Sequence, residues 1–218
     1  MIKLRARFTK TDRAKYISHL DLYKFMQRTF RRAHIPVWYT EGYNPRPYIM
    51  FPLPLSLGYE SDCEIMDFNI TDDTSCEEIM NRLNAVLPEG IRIISVSPQQ
   101  MKHTEITKSE YEAHFGFENS SDAQVKFGEF VNRDTITVLK KTKQKTFKEI
   151  DLKPLVSVID MSVQDGELKV TLTMPSGNQN NINPSLLFDS FFEFYGQTPE
   201  KINIRRRGIF AADDQTFM

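Results

Sequence analysis

Cysteine is nearly absent from this chain. Its 218 residues hold only Cys63 and Cys76. Two cysteines thirteen positions apart cannot supply the closely spaced set that grips an iron–sulfur cluster. One disulfide is arithmetically possible, but two thiols in a chain of 25.4 kDa read as reduced and structural. The four histidines, at 19, 34, 103 and 114, show no ligand spacing with either cysteine, so no metal site is expected. No Walker-type loop, GxGxxG fingerprint or HExxH pair is present, and no cofactor is expected. No apolar run approaches the roughly 20 residues that span a bilayer. The chain opens Met1-Ile-Lys-Leu-Arg-Ala-Arg, like a strand rather than a secretory leader, so a cytoplasmic protein is expected. Hydrophobic residues at 40% and charged residues at 26% are the composition of a globular protein.

What is present is an uneven charge. The formal net charge of −1 conceals it. Residues 1–48 carry eleven Lys/Arg against three Asp/Glu, a net of +8, while residues 49–100 carry two against nine, a net of −7. Such asymmetry along one chain points to an anionic partner.

The basic residues fall into a pattern. Ile2, Leu4, Ala6 and Phe8 alternate with Lys3, Arg5, Arg7 and Thr9, giving a strand over 2–9 with one apolar and one basic face. A helix follows over 19–33, with Ser18 as N-cap and Asp21 in its first turn, where a carboxylate suits the helix dipole. Leu22, Phe25, Met26, Phe30 and Ala33 recur at helical spacing as its buried stripe. Lys24, Arg28 and Arg31 share another face with Arg32 beside it, and no acid follows Asp21 in the helix to pair with them. Pro36 turns Ile35 away from helical geometry and ends the element after His34.

Beyond it lies Gly42-Tyr43-Asn44-Pro45-Arg46-Pro47. Gly42 admits positive φ, and Pro45 and Pro47 stiffen alternate positions. The result is a rigid loop presenting Tyr43, Asn44 and Arg46, residue types that suit base stacking and phosphate pairing. The candidate nucleic-acid-binding residues are therefore Arg5, Arg7, Lys24, Arg28, Arg31, Arg32, Tyr43, Asn44 and Arg46. Ser18, His19, Asp21, Gly42, Pro45 and Pro47 shape the motif. His19, beside Asp21 at the helix start, is the candidate acid–base residue, and the loop is expected to bring Arg46 close to it. A solvated helix face, and a loop that pins the helix to a sheet with Tyr43 as packing, are the alternative readings.

The order of elements suggests the architecture. A short strand is expected at 36–40, then strand 63–70, helix 75–87 and strand 91–97, completing β-α-β-β-α-β. On the strand, Glu64 and Asp67 fall on opposite faces and form no simple carboxylate pair. The second half repeats the order with an extra strand: strand 111–117, helix 122–131, strand 136–141, a hairpin of 155–163 with 167–174 around Asp165-Gly166, helix 186–195 after Pro184, and strand 201–210. The expected fold is α+β: two tandem ferredoxin-like α/β sandwich units with antiparallel sheets, at 1–98 and 109–218. Two further basic clusters are Lys140, Lys141, Lys143, Lys145 and Lys148, and Arg205, Arg206 and Arg207, of which Arg206 must face away from its neighbours.

The residues Ser18-His19-Leu20-Asp21, Arg31-Arg32-Ala33, Ile35-Pro36, Glu41 to Pro47, Pro54-Leu55, Leu57-Gly58 and Ser61 resemble the bacterial DUF2344 family, also described as radical-SAM-associated. Lys140-Lys141-Thr142-Lys143 and Lys148-Glu149-Ile150-Asp151-Leu152 are similar to a second signature of that family. The resemblance implies a functional link to a radical-SAM enzyme, of which some members look like C-terminal extensions, and a link to RNA processing. With the cysteine pattern ruling out a radical-SAM enzyme in this chain itself, the expected function is a non-catalytic RNA-binding adaptor for such an enzyme. The alternatives are an RNA-processing or RNA-modifying enzyme using His19, and a protein-binding domain that docks on the radical-SAM enzyme.

Overall fold

The alternation at the N-terminus sets the frame of the computed structural model, which describes residues 1–141, 146–177 and 180–217. Lys143 and Lys145 of the second basic cluster lie outside the described residues. The chain forms two compact units, Met1–Ile106 with the segment from Arg206 onward, and Thr107–Arg205. The first unit runs β1 (Ile2–Lys10), α1 (His19–Arg32), β2 (Ile49–Met50), β3 (Glu60–Ile70), α2 (Cys76–Asn84) and β4 (Ile91–Pro98). The second runs β5 (Lys108–Gly116), α3 (Ser120–Val131), β6 (Thr137–Lys141), β7 (Phe147–Asp151), β8 (Ser157–Gln164), β9 (Glu167–Pro175) and α4 (Ser185–Tyr195); β10 (Lys201–Phe210) begins in the second and ends in the first. It is a mixed α/β chain whose sheet is largely antiparallel.

In the first unit β1 pairs antiparallel with β3 on one side and β4 on the other. Leu4, Ala6 and Phe8 on one face of β1 join Met66 and Phe68 of β3 under α1 and α2, which contribute Leu22, Met26, Phe30, Ile79 and Leu83. α1 is closed at both ends. The Ser18 hydroxyl accepts from Asp21 N at 3.2 Å. At the other end His34 adopts φ 51°, and the amides of His34 and Ile35 donate to Arg31 and Phe30 carbonyls, which is a Schellman closure. No strand forms at 36–40. Only isolated bridges occur there, Val37 to Ile70 and Tyr39 to Pro47, and regular pairing begins at Ile49–Met50. Pro36, Pro45 and Pro47 lack the amide that a ladder needs.

β3 is buried along nearly its whole length. Its second face packs Cys63 and Ile65 against Leu53, Ile106, Ile209, Ala211 and Phe217. This is why the C-terminal segment groups with the first unit, where the expected boundary of 109–218 assigned it to the second. A strand buried on both faces must bury its carboxylates too. Asp67 receives Arg5 Nε at 2.6 Å and Nη2 at 2.9 Å, with Phe217 lying over the guanidinium at 4.2 Å. Glu64 receives Arg206 Nη1 at 2.9 Å, and the same guanidinium donates to the Leu53 and Pro54 carbonyls. Glu64 and Asp67 thus do face opposite ways, each with its own arginine. Gly90 completes the unit: its φ is 84°, and a Cβ there would stand 2.6 Å from the Thr11 carbonyl oxygen.

In the second unit the strand order is β10-β5-β9-β8. β8 and β9 meet through Asp165-Gly166, both at positive φ (49° and 78°), the two-residue hairpin turn expected there. α3 and α4 bring a layer of phenylalanines onto the sheet, with the Phe127 and Phe191 centroids 4.9 Å apart. β6 and β7 form a separate two-stranded ribbon. β7 was not anticipated from the sequence, where five residues of mixed polarity carry little periodicity.

Arg206→Ala leaves Glu64 charged, buried and unpaired, and is expected to cost about 3–5 kcal/mol in urea unfolding. The double change Glu64→Leu with Arg206→Met is expected to cost far less than Arg206→Ala alone, because it removes both charges.

Candidate nucleic-acid interface

The outward face of α1 is formed by residues the core does not use. Lys24, Arg28, Arg31 and Arg32 are all exposed. Among the described residues none of the four meets a carboxylate. Arg32 Nη2 donates to the Val86 carbonyl at 3.0 Å, and Arg31 lies over the Tyr39 ring at 5.8 Å. Lys24 and Arg28 have no partner among the described residues. The face is a row of solvated cations.

The loop is pinned to this same helix. Thr40 N donates to the Arg46 carbonyl at 2.9 Å, and Tyr48 N to the Trp38 carbonyl at 2.9 Å, with the Trp38 and Tyr48 rings edge to face at 5.7 Å. Gln27 Nε2 of α1 donates to the Pro47 carbonyl at 3.2 Å. Gln27 and Arg31 are one turn apart, so both contacts hold the loop base to the second half of α1. The tip is free: Glu41 to Arg46 are exposed, Tyr43 is 99% exposed, and a Cβ on Gly42, at φ 120°, would touch nothing. The loop therefore both pins and presents. Tyr43 is not packing.

Two proposed contacts move elsewhere. Arg5 is 3% exposed and committed to Asp67, so it is withdrawn from any ligand surface. Arg7 is half-buried and sits in phase with Arg5, on the face of β1 opposite α1. The basic face of β1 is partly covered by the C-terminal segment, which sequence reading could not foresee. The loop anchors also lie away from His19: Gln27 is eight residues along the helix from it, about 12 Å at 1.5 Å per residue. Phe51 stands beside His19 instead, with ring centroids 5.6 Å apart.

His19 keeps an exposed surface, and partial desolvation holds its pKa below its usual value; Glu64 partly opposes this, and Lys10 reinforces it. Lys10 was counted in the positive field but is 1% exposed, and donates to the Ile17 carbonyl at 2.9 Å and the Lys15 carbonyl at 3.3 Å. Burial lowers its pKa also, against the pull of Glu64. Its position was legible, since it falls in phase with Leu4, Ala6 and Phe8. Desolvation pushes the Cys63 thiol up to about 12, and the neighbouring Glu64 carboxylate adds to the rise, so Cys63 is no nucleophile. Among the described residues no group of three or more His, Cys, Asp or Glu side chains could hold a metal ion. No helix among them is long and apolar enough to cross a membrane.

Residues 3–184 match the model of a bacterial family described as an uncharacterised protein conserved in bacteria, DUF2344. The chain belongs to this family. No curated protein matches it.

His19 is expected to titrate below 6.5 in an NMR pH series, so the ring is neutral at pH 7. The unfolded chain then binds a proton that the folded one resists. Stability should be full above about 6.5 and decline as pH falls toward the folded-state pKa. His19→Gln should remove that part of the decline.

Proposed function

We propose that this protein is a non-catalytic, RNA-binding accessory protein that works in the cytoplasm with a radical-SAM enzyme. The reading rests on one observation above the others: a stiff, exposed Tyr43-Asn44-Pro45-Arg46 tip is anchored to the same helix that displays Lys24, Arg28 and Arg31, which meet no carboxylate among the described residues. Unpaired cations supply the phosphate term, and a presented tyrosine supplies a stacking platform at little ordering cost. The tie to a radical-SAM enzyme rests on the family resemblance alone. We read the architecture as two tandem ferredoxin-like units. With strands numbered within each unit, β4-β1-β3-β2 and β10-β5-β9-β8 are the same order, the β6–β7 ribbon being an insertion in the second.

RNA affinity is expected to fall with salt at a log–log slope of about −0.7 per phosphate contacted on a single strand. Arg28→Ala with Arg31→Ala should make the slope shallower by one to two such increments, about 0.7 to 1.4, in fluorescence anisotropy. Asp72→Ala with Asp73→Ala, in the acidic segment, should leave it unchanged. Tight binding of a radical-SAM enzyme with no salt-dependent binding to any RNA pool would favour a protein-docking role. RNA cleavage or modification that disappears in His19→Ala would favour an enzyme.

A further inference from the structure

The β6–β7 ribbon carries a feature that its own stability does not require. Lys140 and Lys148 are paired directly across it. Like charges in that relation are destabilising. Among the described residues neither lysine meets a carboxylate; Lys140 Nζ donates to the Asn181 carbonyl at 2.7 Å. On the opposite face stand Leu139 and Phe147, 58% and 67% exposed. The ribbon thus offers cations on one side and a bare aromatic ring on the other.

The base of the ribbon is held firmly. The Asp151 carboxylate accepts from Ile136 N at 2.8 Å and Lys153 N at 3.0 Å, and these bonds pull its pKa down. Leu152 N donates to the Ile136 carbonyl at 2.9 Å, and the Leu152 side chain is fully buried. Phe147 and Lys148, exposed on a ribbon with a fixed base, lose little freedom on binding.

We propose that the β6–β7 ribbon is a second nucleic-acid contact, in which Lys140 and Lys148 engage the phosphate backbone of a single strand and Phe147 stacks on a base. It rests on the reading of the protein as RNA-binding but uses residues of the other unit. Charge complementarity selects an anionic ligand, and the exposed ring selects one with flat bases. A lipid surface fits less well. Two apolar side chains fall far short of the apolar face by which an interfacial helix binds.

The test uses the full chain and fluorescein-labelled 12-nucleotide single-stranded RNA, with anisotropy read across a potassium chloride series. Lys140→Gln with Lys148→Gln should make the log–log slope shallower by about 0.7 to 1.4. Phe147→Ala should weaken binding about fivefold or more at every salt, whereas Phe147→Trp should retain it. Phe147 and Lys148 are exposed and Lys140 is half-buried, and circular dichroism of each variant confirms the fold. If the ribbon variants bind like wild type while Arg28→Ala with Arg31→Ala is weakened, the ribbon proposal is overturned and the α1 reading stands. If only the ribbon variants are weakened, the ribbon holds and the α1 site falls. Absence of any RNA binding overturns both. Binding to vesicles of 30% phosphatidylserine in phosphatidylcholine that the ribbon variants lose, with no RNA binding, replaces the proposal with a lipid contact.

Discussion

β3 is the constraint on which the first unit depends. It is buried on both faces, yet it carries Glu64 and Asp67. A carboxylate in such a place must be paired and hydrogen-bonded or it will not stay ionised. Each is met by an arginine from a distant part of the chain, Arg5 from β1 and Arg206 from β10. The arginines in turn need their remaining donors satisfied, which recruits the carbonyls of Met101, Leu53 and Pro54. The pairs constrain register as well as stability. A slip of one residue along β3 would strand both charges.

Those pairings also sort the basic residues of the chain into two kinds. Arg5, Lys10 and Arg206 are internal and neutralise or tie down the frame. Lys24, Arg28, Arg31, Arg32 and Arg46 are external. The positive field of the first 48 residues is therefore smaller than its formal count, and five of its eleven cations stand on one helix and the loop pinned to it. A loop of this kind, stiffened by two prolines and anchored at its base, loses little freedom when a ligand arrives.

Much of this was legible in sequence, for identifiable reasons. The alternation of Ile2 to Phe8, the helical stripe from Leu22 to Phe30 with its Ser18 cap, and the Asp165-Gly166 turn are local signals, and local signals survive into the fold. The opposite facing of Glu64 and Asp67 followed from strand period alone. What failed was tertiary. Nothing local to Arg5 says that Phe217 and Asp67 will cover it, and nothing near Pro36 says that the partner of β3 lies at Ile49 and Met50 rather than at 36–40. The loop's anchor on Gln27 depends on where the chain turns after Pro47, which no local signal gives. Lys10 could have been placed by phase, and was instead counted by charge.

We propose that the α1 face and the loop tip meet RNA. Photo-crosslinking tests it most directly. A 4-thiouridine oligonucleotide irradiated with the full chain, followed by mass spectrometry of the digested protein, reports which residues touch the bases. Crosslinks are expected at Tyr43 and in the peptide bearing Arg28 and Arg31, and are expected to be lost at high salt. Crosslinks confined to the acidic segment of residues 49–100, or none above a non-binding control protein, would contradict it.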